Sequence, residues 1–242
     1  MRALAISLIA SLAIADLGGL HAVEPEVRPA LIGNGPKTLI NLIDTDRLMK
    51  KGQGDALMNF QCLVNTSGQP VDPVTYRATP GAGTLEKEVM SALQKCRFIP
   101  AIYDGKPTEV LFLGTVVFVV ADGKPHLRIY ANQNHDDIAT GNDFIAPQLI
   151  LESRKKISLV QNKLEKARIY HQNGVVELST TVDVNGNQED IRVVSEDPPG
   201  FNFGRAELEL SSGAKYIPGF RNGVPVDCTF DQYFWFFSMH RR

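Results

Sequence analysis

The side chains best suited to chemistry are the three cysteines, Cys62, Cys96 and Cys228. They form no CxxC pair and fit no zinc spacing. In an oxidising compartment one pair would be bridged and one thiol left over. Cys62 shares parity with Phe60 and Val64, the core side of a strand, and Cys96 lies on the apolar face of a helix. Both then point into one small core, so a Cys62–Cys96 disulfide is expected if the protein is exported. Two ordinary buried thiols are the other reading. Closing a loop of this size would stabilise by about 3–4 kcal/mol. Cys228 is left as a small buried hydrophobe or as a bridge to another chain.

The remaining polar clusters point away from catalysis. Asp183, Asn185, Asn187 and Glu189 mimic a calcium loop, but Gly186 stands at the fourth position where an EF-hand needs glycine at the sixth. A hairpin turn accounts for them better. His135, Asp136, Asp137 and Asp143 fall in a polar stretch with no scaffold to fix a metal. Gly81-Ala82-Gly83-Thr84 lacks the lysine of a phosphate loop and reads as a helix entry. There is no GxSxG elbow, and the carboxylate pairs Asp44/Asp46 and Glu196/Asp197 sit near loops without an environment to tune them. Arg154, Lys155, Lys156, Lys163, Lys166 and Arg168 read as a solvated helix face, with docking of an acidic partner or lipid head groups as the alternative. No catalytic, cofactor-binding or metal-binding residue is expected, and the chain reads as a non-enzyme.

Of the 242 residues, 43% are hydrophobic and 21% charged, as in ordinary globular proteins, and the net charge of −2 gives no reason to bind nucleic acid. Arg2 followed by the uncharged run Ala3–Ala15 has the form of a secretory signal peptide, too short for the ~20 apolar residues of a bilayer span. Ala13-Ile14-Ala15 is a small-x-small cleavage site, and Leu20-His21-Ala22 is a weaker one with a more usual length before it. A periplasmic or secreted location is expected; an uncleaved anchor running to Leu20 is the alternative, with Asp16 costly in lipid.

The chain also repeats itself. Displaced by 118 positions, Val64, Gly68, Asp72 and Pro80 meet Val182, Gly186, Asp190 and Pro198. Ile99, Pro100, Gly105 and Pro107 meet Ile217, Pro218, Gly223 and Pro225. Matched glycines and prolines imply matched turns. The expected organisation is a signal peptide at 1–22, a first domain at 23–120, a linker at 121–146 and a second domain at 147–242.

Each domain reads as helix, strand, strand, helix, strand. Met58–Asn65 and Val175–Val184 alternate as half-buried strands do, and Ser67-Gly68 and Asn185-Gly186 mark hairpins to Val71–Arg77 and Asp190–Ser195. Leu85, Val89, Ala92, Leu93 and Cys96 form a helical stripe behind Thr84 as N-cap, and residues 203–213 do so more weakly. Long strands close each domain at Thr108–Val120 and Val226–Phe237, and residues 37–51 and 155–170 look helical.

With Arg97-Phe98-Ile99-Pro100, Gly105 and Pro107, and again Lys215-Tyr216-Ile217-Pro218, Gly223 and Pro225, the pattern resembles the C-terminal periplasmic domain of TonB. That resemblance implies an α+β fold: two tandem small domains, each a three-stranded antiparallel sheet with helices packed on one face. It implies that the closing strands are sheet edges, Val110, Phe112, Val116 and Phe118 in one and Cys228, Phe230, Phe234 and Phe236 in the other. It further implies a partner that is an envelope protein or extended peptide, bound by strand addition, with no cofactor. TonB's transmembrane helix and long proline-rich spacer have no counterpart here, so the expected role is an accessory to envelope transport. A scaffold whose domains pack on each other is the alternative, as is a membrane-anchored energy transducer should residues 3–20 stay uncleaved. Tyr233–Phe237 are consecutive aromatics, so both faces of that strand need cover, from the first domain or from a partner.

Overall fold

Alternation of apolar residues places Ala56–Val64 at the centre of a sheet, and the same pattern recurs at Gly174–Val182. The computed structural model describes residues 26–141, 143–154 and 173–236. The first half comprises β1 (Val27–Arg28), α1 (Leu39–Leu42), α2 (Thr45–Lys50), β2 (Ala56–Val64), β3 (Pro70–Tyr76), α3 (Gly83–Leu93), β4 (Ala101–Tyr103), β5 (Lys106–Thr108), β6 (Val110–Ala121) and β7 (Lys124–Tyr130). Then come α4 (His135–Thr140), β8 (Phe144–Ile145), β9 (Gln148–Leu149) and a 3₁₀ turn (Leu151–Ser153). The second half adds β10 (Gly174–Val182), β11 (Gln188–Asp197), α5 (Phe203–Ser211), β12 (Tyr216–Ile217), β13 (Gly219–Arg221), β14 (Val224–Val226) and β15 (Cys228–Phe236). The expected signal peptide and the expected helix at 155–170 lie outside the described residues.

Two antiparallel sheets organise the fold, in the orders β3-β2-β6-β7 and β11-β10-β15. The β2–β6 ladder runs from Ala56↔Phe118 to Val64↔Val110, and the β10–β15 ladder from Gly174↔Phe236 to Val182↔Cys228. Each pair of the second ladder is a pair of the first moved along by the same offset. Helix α3 packs Leu85, Val89, Ala92 and Leu93 on one face of the first sheet, and α5 packs Phe203, Ala206 and Leu210 on the second.

The other face of the first sheet is also apolar. Leu111 and Leu113 of β6 join the core of the second half, and Ile150 and Ile217 join the core of the first. At the junction the Ala30 N–H donates to Gln148 Oε1 at 2.7 Å, and Gln148 Nε2 donates back to the Ala30 carbonyl at 2.9 Å.

The stretch expected as a linker, 121–146, instead carries β7, α4 and β8. Asp122 and Gly123 both have positive φ, 52° and 71°, the type I′ geometry that turns the chain straight back along β6. Leu127 and Ile129 then pack against the first core, which polar neighbours hid in the sequence. Asn134 caps α4 by accepting from the N–H of Asp136 and Asp137.

Other local readings shift. Helix α3 starts at Gly83 behind Ala82, not behind Thr84, and its Leu85 N–H is taken by Gln53 Oε1 at 3.0 Å. The helix at 37–51 is two short pieces, α1 and α2. At Asn185-Gly186 only Gly186 has positive φ, and Asp183 Oδ1 accepts from the N–H of Asn185 and Asn187, so a side-chain-braced loop replaces a two-residue turn. Burial works to raise the Asp183 pKa, but the bonds from Asn187 and Asn185 outweigh it and hold the carboxylate below its usual value.

Candidate protein-binding edge

An edge strand can recruit a partner only where its backbone groups lack a neighbour. In the first half β6 does not meet that condition. Val116 and Phe118 pair with Ile129 and Leu127 of β7, and Val110 bridges to Ile150. The side chains of Val110, Phe112, Val116 and Phe118 are all fully buried. The expectation of a binding edge at Val110–Phe118 is therefore corrected: the hairpin at Asp122-Gly123 supplies the neighbour from the chain itself.

In the second half β15 pairs with β10 on one side, and among the described residues no strand pairs with its other side. The Asp231 carbonyl accepts from Gln133 Nε2 at 2.5 Å, so residue 231 turns its backbone away from β10. By the alternation of antiparallel pairs, Thr229, Tyr233 and Trp235 do the same. Thr229 and Asp231 are exposed. Phe230 and Phe234 point into the core, while Cys228 and Phe236 are half-buried.

Side chains of the first half reach over this edge. Tyr76 packs its ring 5.1 Å from both Tyr233 and Trp235. Arg77 stacks 4.5 Å above the Tyr233 ring and pairs with Glu177 at 3.0 Å. Glu177 also accepts from the Tyr233 hydroxyl and from Ser195 Oγ. Burial and the adjacent Glu177 push the Tyr233 phenol well above its ordinary pKa. The cover required by the consecutive aromatics thus comes from the first half, at Tyr76.

Two clefts flank the covered stretch. One, of about 460 Å³, runs beside Thr229–Asp231 and is bordered by Arg77, Arg192 and His135. The other, of about 620 Å³, lies beside Phe234 and Trp235. His135 and Asp136 lie close to each other on α4, but Asp137 is paired with Arg221, so they do not converge as metal ligands.

The motif residues are structural. Phe98 and Tyr216 each donate their N–H to a hairpin glycine, Gly68 and Gly186, at 2.8 and 3.0 Å. Arg97 donates its N–H to the Lys37 carbonyl, and Pro100 accepts from Arg28. Gly105 and Gly223 take positive φ in the turns opposite, and Pro107 and Pro225 pair with Ile102 and Phe220 in those hairpins. Pro218 packs near Gly186.

Cys62, Cys96 and Cys228 are free thiols, so the expected Cys62–Cys96 disulfide is not formed. Cys62 and Cys96 do share one core, but the Cys96 thiol donates to the Leu93 carbonyl of its own helix at 3.6 Å. Burial pushes the Cys96 and Cys228 thiols up to about 11 and Cys62 higher still. A thiolate-directed reagent at neutral pH should therefore label the native protein slowly, with half-buried Cys228 first and the other two only on unfolding. Mass spectrometry of protein quenched at intervals would report the order.

A small sheet with a helix on one face, and a closing strand that has no second strand neighbour among the described residues, defines the second half. Residues 165–237 match the family described as the Gram-negative bacterial TonB protein C-terminal, and the match ends one residue beyond β15. This region is therefore similar to the C-terminal domain of TonB. No curated protein and no solved structure matches the chain.

Proposed function

We propose that this is an exported, non-enzymatic envelope protein with two tandem TonB-C-like halves, and that the second half binds an extended segment of another envelope protein by strand addition along β15. The observation that carries this reading is the coincidence of the family match with a strand whose outer side has no strand partner among the described residues. The first half is a support, since β7 takes the place a guest would need on β6.

Peptides copied from the periplasm-facing N-terminal segments of outer-membrane receptors provide the test. Their binding should slow hydrogen exchange of the Thr229 and Tyr233 amides and leave β6 unchanged. Slow exchange at those amides without peptide, unaltered when it is added, would refute the reading. Export itself is checked by intact mass, which should show loss of the first 15 or 22 residues.

A second reading, a scaffold whose halves hold each other, draws on the contacts of Tyr76, Arg77 and Gln133 with β15. Tyr76→Ala separates the two. It should speed exchange at Tyr233 and strengthen peptide binding if the edge is a docking site, and only lower the melting temperature if the contact is purely architectural.

A further inference from the structure

The cleft of about 460 Å³ lies between the halves, with one wall on the sheet β11-β10-β15. Three of its residues form a row across that sheet: Arg192 and Asp231 both stand opposite Ser179 in the ladders. Directly opposite residues of antiparallel strands share a face, so the three side chains stand on one side. It is the side turned to the first half, because Glu177 and Tyr233, two residues along the same strands, are the ones Arg77 touches. Several other polar side chains of the lining are committed. Arg77 is paired with Glu177, Asn132 and Gln133 donate to the Phe144 and Asp231 carbonyls, and Thr229 bonds to Thr181. Ser179, Arg192 and Asp231 make no side-chain hydrogen bond or ion pair among the described residues. For two exposed charges that is ordinary. Ser179 is different: it is 4% exposed, in the central strand of the sheet. Its hydroxyl is nonetheless open to the cleft rather than sealed from solvent. A buried hydroxyl without a protein partner, facing a cavity, is a place for a ligand atom.

We infer that this cleft binds a short peptide by its two charged ends, with the carboxylate accepting from Arg192 and the Ser179 hydroxyl and the ammonium donating to Asp231. Arg77 and Glu177 neutralise each other, so the open set is one cation, one anion and one hydroxyl, whose complement is a zwitterion. The spacing selects its length. Arg192 and Asp231 flank β10, so their backbones stand two strand spacings apart, roughly 9.5 Å. A free amino acid carries both charges on one carbon, whereas a dipeptide separates them by up to about 7 Å. Phe144 and Ala146 add an apolar wall for its side chains. The site is independent of strand addition along β15.

The probe is Ala-Ala, which at its size should bind with a dissociation constant of about 1 mM. Titration should move the amide resonances of Ser179, Arg192 and Asp231. Ser179→Ala, which removes only the hydroxyl, should weaken binding about fivefold. Two ligand variants separate the ends. The C-terminal amide of Ala-Ala should bind the native protein about fivefold more weakly than Ala-Ala, and no more weakly than Ala-Ala in Arg192→Gln. N-acetyl-Ala-Ala should behave in the same way toward Asp231→Asn. Arg192 and Asp231 are exposed, so both variants should fold, and an unchanged spectrum away from the cleft checks this. Alanine should bind more weakly than the dipeptide. Shifts confined to residues elsewhere, equal affinity for all three dipeptide forms, or a native affinity in Ser179→Ala would each overturn the site. Alanine binding as tightly as Ala-Ala would overturn it as a peptide site.

Discussion

Gly186→Ala is expected to destabilise the protein by about 3 kcal/mol or more, and Gly68→Ala by a similar amount. Both glycines hold positive φ, 77° and 76°, which costs an alanine roughly 1–2 kcal/mol. Strain is the smaller part. A Cβ on Gly186 would stand 2.0 Å from the Tyr216 carbonyl oxygen, and one on Gly68 would stand 2.1 Å from that of Phe98. A backbone oxygen cannot swing aside as a side chain can. The hairpin and the following strand would have to part, breaking the Tyr216 N–H to Gly186 bond or its Phe98 counterpart, about 1 kcal/mol more. Gly105 and Gly223 are the controls. They share the positive φ, 70° and 77°, but a Cβ there meets nothing within 4 Å. Their alanine variants should lose only the strain energy. Urea denaturation of the four variants measures the difference, and equal losses at all four sites would show that the close approach contributes nothing.

The second large effect is expected at Arg154. Glu207 is 2% exposed and accepts from Arg154 and from Ser211 Oγ. Arg154→Met would leave a buried carboxylate without its cation, at a cost of about 3–5 kcal/mol near neutral pH. The double change Arg154→Met with Glu207→Leu should recover most of the loss, because no buried charge then remains. The pH dependence gives an independent check. Burial raises the Glu207 pKa above its ordinary 4.5, although Arg154 and Ser211 draw it down. A carboxylate whose folded pKa lies above its unfolded value contributes stability that is fully present below the unfolded value. That contribution is lost as pH rises through the folded value. Stability should therefore fall on raising the pH above about 4.5, and Glu207→Gln should flatten that part of the curve. In Arg154→Met the fall should be steeper, since the opposing cation is gone. A curve unchanged by either substitution would mean that Glu207 titrates as an exposed glutamate does.

Much of the framework was legible because it depends on local rules. Period-two alternation located β2 and β10, and glycine-bearing turns located the β2–β3 and β10–β11 hairpins. Motif glycines and prolines located the turns at Asp104-Gly105 and Asn222-Gly223. What escaped was set by contacts distant in sequence. Asp122-Gly123 carried the same hairpin signal, but the polar residues around it masked the alternation of Leu127 and Ile129, so β7 was missed and β6 was taken for an edge. Arg154 looked like one cation in a basic run. Only the fold brings it to Glu207, fifty-three positions on. Cys62 and Cys96 were placed correctly in one core, yet shared burial does not decide a bond, which depends on where each sulfur points. At β15 the aromatic run announced that cover was needed, and Tyr76 could not be named as its source from one strand's pattern.

The exchange between Ala30 and Gln148 has a consequence for how the two halves stay together. The side-chain amide of Gln148 answers both the N–H and the C=O of Ala30, as a neighbouring strand would. Both partners belong to one polypeptide, so their encounter is intramolecular. Its effective concentration is set by the connecting chain, on the order of millimolar, whatever the amount of protein in solution. Dilution that would separate two independent molecules held by the same contacts leaves this junction closed. Its persistence is a property of chain connectivity, and it should be lost on cleavage of that connection at low concentration and regained at high.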